Sequence, residues 1–307
     1  MTPVTLSPDT FFGTDGSSSS SSSNSRGLPF EASIIVAVVS TLVSFITVVG
    51  NIGVFYIIYT DKRLLTYTNY YILALAASDI VGGFTMALYS VYWILGYWPF
   101  SDILCDVHQY VKATFIHISI LTIVIIAYDR WDALEHPLQH LKRRTLSHAM
   151  KLISITYIIP LMYWFFAIFL WRYLNGSRNI LPGRCYPQFV ADSFTFLLFV
   201  PIVIFWAPFV IICVLYARIY LIIRRTGASQ KLCQLPTAVR NQPGANFAHH
   251  DQENKRANRT LTLILIAMVL ASSPWSTLAP VYASCSSCIP LALYQQTSLA
   301  MNTLVHN

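Results

Sequence analysis

Apolar residues fall in long, nearly unbroken runs separated by short polar stretches. A bilayer core takes about 20 consecutive apolar residues per helix, and runs of that length cover Ile34–Tyr59, Tyr70–Leu95, Val107–Tyr128, Met150–Trp171, Phe194–Ile223 and Leu261–Tyr282. A seventh, shorter run begins near Ile289 and meets the chain end. The pattern predicts an all-α, seven-transmembrane helix bundle whose seventh helix is truncated at Asn307. Transporters and membrane hydrolases also reach seven spans, so the count alone does not name a function.

Composition agrees, with 55% of residues hydrophobic and 11% charged. Such a surplus of apolar surface must face lipid. Lys and Arg set the orientation: about fourteen lie in one set of connections and about four in the other, and the rich side faces the cytoplasm. The N-terminus is therefore extracellular and the protein a multi-pass one of the plasma membrane. The net charge of +7 then reads as a cytoplasmic collar including Lys142, Arg143, Arg144, Lys255, Arg256 and Arg259, facing the lipid bilayer rather than nucleic acid. Residues 1–30, with the serine run Ser17–Ser23, are too polar to bury a core and are expected to form a disordered outer tail. Residues 31–307 are expected to form the membrane-embedded domain, with 223–259 as its third cytoplasmic connection. The tail lacks a basic-then-apolar leader, so the first span is expected to serve as its own insertion signal.

This topology sorts the six cysteines. Cys105 opens the third span, Cys185 lies in the second outer loop, and Cys285 and Cys288 share the third. Outside the cell oxidation is permitted, and a Cys105–Cys185 bridge would pin the long outer loop over the bundle mouth. A Cys285–Cys288 bridge would tighten the short loop; the other meaning of C-x-x-C, redox or zinc chemistry, lacks a second such pair. Cys213 and Cys233 are expected to stay free. Asn175-Gly176-Ser177 is a glycosylation acceptor in an outer loop, whereas Asn258-Arg259-Thr260 falls inside.

Ionisable and polar groups within spans are costly and mark function. Asp79, with Asn51 and Ser119, would form an interior cluster for water or a sodium ion, or else hydrogen-bonded helix packing. Arg130, in Asp129-Arg130-Trp131 at the inner end of the third span, can snorkel to water or pair with Asp129, and a movable arginine permits a two-state switch. Pro160, Pro208 and Pro274 bend spans four, five and six. A transporter would show internal repeats and paired broken helices, which are not evident. A hydrolase would cluster its metal ligands, but the eight histidines are scattered; His117, alone in mid-span, reads as a packing or hydrogen-bonding residue. No metal, cofactor or enzymatic activity is expected.

Taken in order, Gly50-Asn51, Leu73-Ala74-Leu75-Ala76-Ala77-Ser78-Asp79, Trp98-Pro99-Phe100, Cys105, Asp129-Arg130-Trp131 with Pro137-Leu138, Pro208 followed by Tyr216, and a final Asn307 resemble rhodopsin-like G-protein-coupled receptors. Within that class the chain most resembles muscarinic acetylcholine receptors and, after them, histamine receptors. That likeness is carried by Leu170-Trp171-Arg172-Tyr173-Leu174 through Leu181-Pro182-Gly183-Arg184-Cys185 with Gln188-Phe189, by Arg259-Thr260-Leu261, and by Cys285-Ser286-Ser287-Cys288-Ile289-Pro290. The resemblance implies a small-molecule extracellular ligand and a heterotrimeric G protein as partners. It also implies a pocket at Lys112, Ala113, Ile116, Trp164, Val200, Trp275 and Ser276, and a switch at Asp129, Arg130, Pro137, Pro208, Tyr216, Met268 and Pro274. Asn307 joins the Asn51–Asp79–Ser119 cluster.

Departures bear on the ligand. Where the family pairs a transmitter's ammonium with an aspartate, this chain has Lys112, which would repel a quaternary amine. Lys112 either receives an anionic carboxylate or phosphate ligand or snorkels outward. Ala113, Trp275, Ser276 and Val200 also differ from the family's pocket. Ser272 and Met268 replace the toggle tryptophan and the phenylalanine below it, Tyr157 replaces the span-four tryptophan, and Asn254, beside Glu253, stands where an acidic partner for Arg130 is usual. The Pro-x-x-Tyr segment and the amphipathic helix after it are missing. The expectation is either an incomplete gene model or a genuinely shortened receptor, and a non-signalling decoy or dimer partner is the alternative reading.

Overall fold

The computed structural model describes residues 30–176, 180, 182–188, 200 and 202–232. Among these the regular structure is helical throughout: α1 (Phe30–Thr60), α2 (Tyr67–Leu95), α3 (Asp102–Glu135), α4 (Pro137–Arg143), α5 (Leu146–Phe165), a π-helical turn Phe166–Leu170 running into α6 (Trp171–Asn175), and a second π turn, Ile202–Trp206, running into α7 (Ala207–Leu232). Five stretches are long and apolar enough to cross a bilayer: α1, α2, α3, the continuous Leu146–Leu174 rod, and Ile202–Arg225. They coincide with the first five apolar runs of the sequence. The runs assigned to spans six and seven, with Met268, Pro274, Trp275, Ser276, Cys285, Cys288 and Asn307, lie outside the described residues, as do the outer tail and Cys233.

Each helix overruns its apolar core because polar signals set its ends. Ser101 caps α3, its hydroxyl accepting from the Leu104 amide at 3.3 Å. Thr145 does the same for α5 through the His148 amide at 3.3 Å. α2 ends on Gly96, whose φ of 76° is the left-handed conformation that glycine adopts without strain. Pro137 takes the first position of α4, where its missing N–H has no helical partner to lose. α7 continues as helix to Leu232, past Ile223 where the fifth apolar run ends.

The bundle is inverted relative to a soluble protein. On α1 the buried positions are Ile58 near the inner end and Ser33, Ala37, Ser40, Ser44 and Thr47, a small, mostly hydroxylated face at alternating spacings of four and three, while Phe45 and Ile46 point outward. Helices in lipid associate through such small faces because lipid tails offer no hydrophobic drive. α1 lies on α2 there, and the Ser44 hydroxyl donates to the Gly83 carbonyl at 2.5 Å. α3 is the axis, packing on α2, α4, α5, α7 and both π turns. Accordingly it buries many polar groups: Asp106, His108, Gln109, Thr114, His117, Ser119, Thr122, Asp129 and Asp132.

Prolines act where the sequence placed them. Pro160 sits buried within α5, ahead of the π turn. Pro208, second residue of α7, cannot donate to the turn before it, and the chain there winds as Ile202–Trp206 with wider π spacing. Tyr157 donates its hydroxyl to the Ala74 carbonyl of α2 at 2.7 Å, tying span four to span two.

The close approach of α1 and α2 gives a direct test. A Cβ on Gly83 would stand 2.7 Å from Val48 Cγ2 and 3.3 Å from the Ser44 carbonyl oxygen. Gly83→Ala should therefore push α1 off α2 and cost about 1–3 kcal/mol, read as a lower thermal midpoint of the detergent-solubilised protein, whereas Gly53→Ala, which meets nothing within 4 Å, should leave it unchanged.

Candidate functional site

Three polar levels lie along the seam between α2 and α3. At the outer level Cys105 and Cys185 form a disulfide, both sulfurs buried. It draws the loop carrying Gly183 and Arg184 down onto the bundle, where the Trp98 amide donates to the Gly183 carbonyl at 2.8 Å. Gln109 on α3 donates to the Cys185 carbonyl at 3.0 Å, and Arg184 reaches the Tyr92 hydroxyl at 3.3 Å. Arg172, at the outer end of span four, forms an ion pair with buried Asp106.

Below this lid an aromatic and basic group faces α2. The Lys112 ammonium stands 4.9 Å from the Tyr89 ring centroid, a cation–π contact. The same ring stacks on His108, one turn above Lys112, at 5.3 Å and 9°. His108 is fixed by its Nε2, 2.9 Å from the Thr85 carbonyl. Lys112 thus turns inward against α2 rather than up to the outer water. The other pocket positions gather on a different side: Ile116, Trp164 and Val200 share one buried cluster with Ile120, Ala167, Ile168, Ile204 and Phe205, and Ala113 packs against it. The ammonium therefore faces Tyr89, while Trp164 belongs to the apolar wall between α3 and spans four and five. Tyr89, His108, Gln109 and Arg184 were absent from the sequence-based pocket. Their one signal was the His108–Lys112 spacing of four, which places both on one helix face.

At the middle level the Ser119 hydroxyl donates to Asp79 Oδ1 at 2.8 Å and lies 2.9 Å from the Ser78 hydroxyl. Asn51 turns its amide nitrogen to the Thr47 carbonyl of its own helix at 2.8 Å. His117 lies buried, edge-on to Tyr163.

At the inner level Asp129, 5% exposed, pairs across to His140 of α4, with Nε2 to Oδ1 at 2.9 Å, and accepts from Thr68 at 3.5 Å. Its hydrogen-bond partner across the bundle is thus His140, and Arg130 has no ion pair among the described residues. Tyr216 of α7 lies within electrostatic reach of Arg130. Pro137 starts the helix that carries His140, and Asp132 is met by Arg143 at 3.8 Å. Asn175 is the last residue of α6; its side chain lies outside the described residues.

Five apolar helices are thus joined by a seam of polar groups that runs from the disulfide-tied outer loop to the inner end. The family model for the 7 transmembrane receptor (rhodopsin family) matches residues 50–306. The chain belongs to this rhodopsin family of G-protein-coupled receptors and is a multi-pass protein of the plasma membrane. Among curated proteins it is similar to muscarinic acetylcholine receptor M5 of Saimiri boliviensis boliviensis, with 34% identity over 61% of this chain and 35% of that one. It is similar to receptor M4 of Gallus gallus, with 36% identity over 61% and 38%, and to receptor M1 of Homo sapiens, with 32% over 60% and 40%. The chain spans well under half the length of these relatives.

The disulfide closes a loop of 80 residues and holds the Gly183–Cys185 segment covalently to α3. Cys105→Ala should cost roughly 3–5 kcal/mol, measured as a lowered thermal midpoint and reduced cell-surface delivery; Cys213→Ala, at a free cysteine, should change neither.

Proposed function

We propose that the chain is a receptor that carries an extracellular small-molecule signal to a heterotrimeric G protein, and that its ligand is anionic rather than a quaternary amine. Membership of the rhodopsin family and likeness to muscarinic receptors support the signalling half. One observation carries the ligand half: the position from which the relatives' resemblance implies a carboxylate for acetylcholine is Lys112, and its ammonium is turned into the bundle over Tyr89. A cation held in a low-dielectric site disfavours a second cation there by several kcal/mol and favours an anion able to displace the weaker cation–π contact. Trp164, Val200, Ile116 and Ala113 form the apolar wall of the same outer half, to which Trp275 and Ser276 would add from span six. Ligand binding there is transmitted through bends at Pro208 and Pro274, with Met268 between, to Asp129, Arg130, Tyr216 and the Pro137 helix. Asp79, Ser119, Asn51 and Asn307 make the polar midpoint, a sodium or water site. The receptor domain comprises residues 31–307, with 223–259 as the third cytoplasmic connection. Bridging of Cys285 to Cys288 and glycosylation at Asn175 complete the outer face.

A nucleotide-exchange assay on membranes expressing the chain, run with acetylcholine and with a panel of small carboxylates and phosphate esters, decides the matter. The wild type should ignore acetylcholine and respond to at least one anion, and Lys112→Asp should lose that response by 100-fold or more. An acetylcholine response in the wild type, or an anion response that survives Lys112→Asp, would sink the ligand assignment. Silence toward every ligand from a chain that reaches the surface would favour the decoy reading.

A further inference from the structure

We propose that His108 is a second recognition residue beside Lys112 and that the ligand is a 2-hydroxycarboxylate: the Lys112 ammonium takes its carboxylate, and its hydroxyl donates to His108 Nδ1. The assignment rests on the reading of Lys112 as the anion's partner and adds a chemical class to it. Two groups on one helix face carry it. His108 and Lys112 are four residues apart on α3. Both meet the same ring, Tyr89 of α2, the imidazole centroid at 5.3 Å and the ammonium at 4.9 Å from its centre.

The imidazole is fixed in plane and in tautomer. Its plane lies 9° from the Tyr89 ring, and Nε2 is 2.9 Å from the Thr85 carbonyl. A carbonyl oxygen can only accept, so Nε2 carries a proton. His108 forms no ion pair among the described residues, and a second positive charge buried beside the Lys112 ammonium is unfavourable. The ring is therefore the neutral Nε2–H tautomer, and Nδ1 presents a lone pair. That nitrogen is buried, in a residue 3% exposed, and has no hydrogen-bond partner among the described residues. Buried polar atoms are nearly always bonded, so an acceptor held in place and left unmet marks the position of a donor brought by another molecule.

Lys112 supplies the complementary half. Of the neighbouring cations, Arg172 is paired with Asp106 and Arg184 donates to the Tyr92 hydroxyl. Lys112 forms no ion pair among the described residues, and its cation–π contact is weaker than a charged bond to a carboxylate. Four residues of helix rise about 6 Å. With a hydrogen bond of about 2.8 Å at each end, the two ligand oxygens must stand close together, as a carboxylate and a hydroxyl on adjacent carbons do. A simple carboxylate satisfies Lys112 and leaves Nδ1 unmet, and a phosphate dianion brings no donor to it. A 2-hydroxy acid satisfies both. The Tyr89 and Tyr92 rings, stacked at 5.1 Å, offer apolar surface to the rest of such a ligand.

Matched acids that differ by one hydroxyl test this without signalling, by titration calorimetry on the full chain in lipid nanodiscs: mandelate against phenylacetate, and lactate against propanoate. In the wild type the hydroxy acid should bind roughly tenfold or more tightly than its partner in at least one pair. O-methylmandelate, which keeps the oxygen and loses the proton, should bind like phenylacetate. His108→Phe, which keeps a ring on Tyr89 and removes Nδ1, should bring each pair to within about threefold by weakening the hydroxy acid alone. Lys112→Met should weaken both acids of a pair by roughly tenfold or more. Hydroxy acids that bind the folded wild type no better than their partners, or not at all, would overturn the assignment. So would O-methylmandelate binding as tightly as mandelate, or a preference that survives His108→Phe. The wild-type comparisons decide even where the His108 variant does not fold. Paired acids that bind equally and still depend on Lys112 remove the hydroxy-acid class and leave the anionic reading standing, whereas binding indifferent to Lys112→Met overturns both.

Discussion

Water is excluded from the hydrocarbon layer, so a polar group on a spanning helix must find its partner inside the bundle. In this chain that constraint is met chiefly along one line, the seam between α2 and α3. Near the outer side Thr85 and Tyr89 of α2 receive His108 and Lys112. At mid-depth Ser78 and Asp79 receive Ser119. At the inner end Thr68 and Tyr67 face Asp129 and His140. A helix pair held at three depths cannot slide by a turn without breaking all three sets, and each break would leave a buried polar group unpaired at a cost of about 1–3 kcal/mol.

The neighbours of this pair use other physics. α1 is held to α2 by close backbone approach at Ser44 and Gly83, with its large side chains given over to lipid. Span four is attached at Tyr157 and by the apolar cluster around Trp164. The outer loop is fixed covalently, and the Gln109 and Arg184 contacts bring further polar groups to the place where the disulfide has already lowered the entropy of ordering.

The first five spans and the Cys105–Cys185 disulfide were legible because each rests on a property that the sequence records: apolar length, and which cysteines face an oxidising space. Residue partners were less legible. Asp129 could be read as a partner of its neighbour Arg130, yet His140 holds it, because Pro137 starts a short helix that folds His140 back by eleven positions. Nothing in the local pattern marks His140 as buried; it stands in a basic, outwardly polar segment. Lys112 likewise left two directions open, since a long flexible stem can snorkel or turn inward. The aromatic ring that selects the inward direction, Tyr89, lies 23 residues earlier on another helix. Helix ends also ran past the apolar runs, because caps such as Ser101 and Thr145 are polar and contribute nothing to hydropathy.

The way the seam is built also locates the parts that can move. The π turn that leads into α7 meets α3 through apolar contacts, with Val200, Ile204 and Phe205 clustered with Ile116 and Ile120. Such surfaces can shift by a fraction of a turn and repack without stranding a hydrogen bond. The π turn at Ile202–Trp206 and Pro208 loosen the backbone of the same helix near its outer half. Among the described residues the α2–α3 pair is therefore the frame, and the π turn ahead of α7 is joined to it by apolar packing. Arg130, on the frame, within electrostatic reach of Tyr216 on α7 and beside a carboxylate bonded to His140, lies where the polar seam and the apolar packing meet.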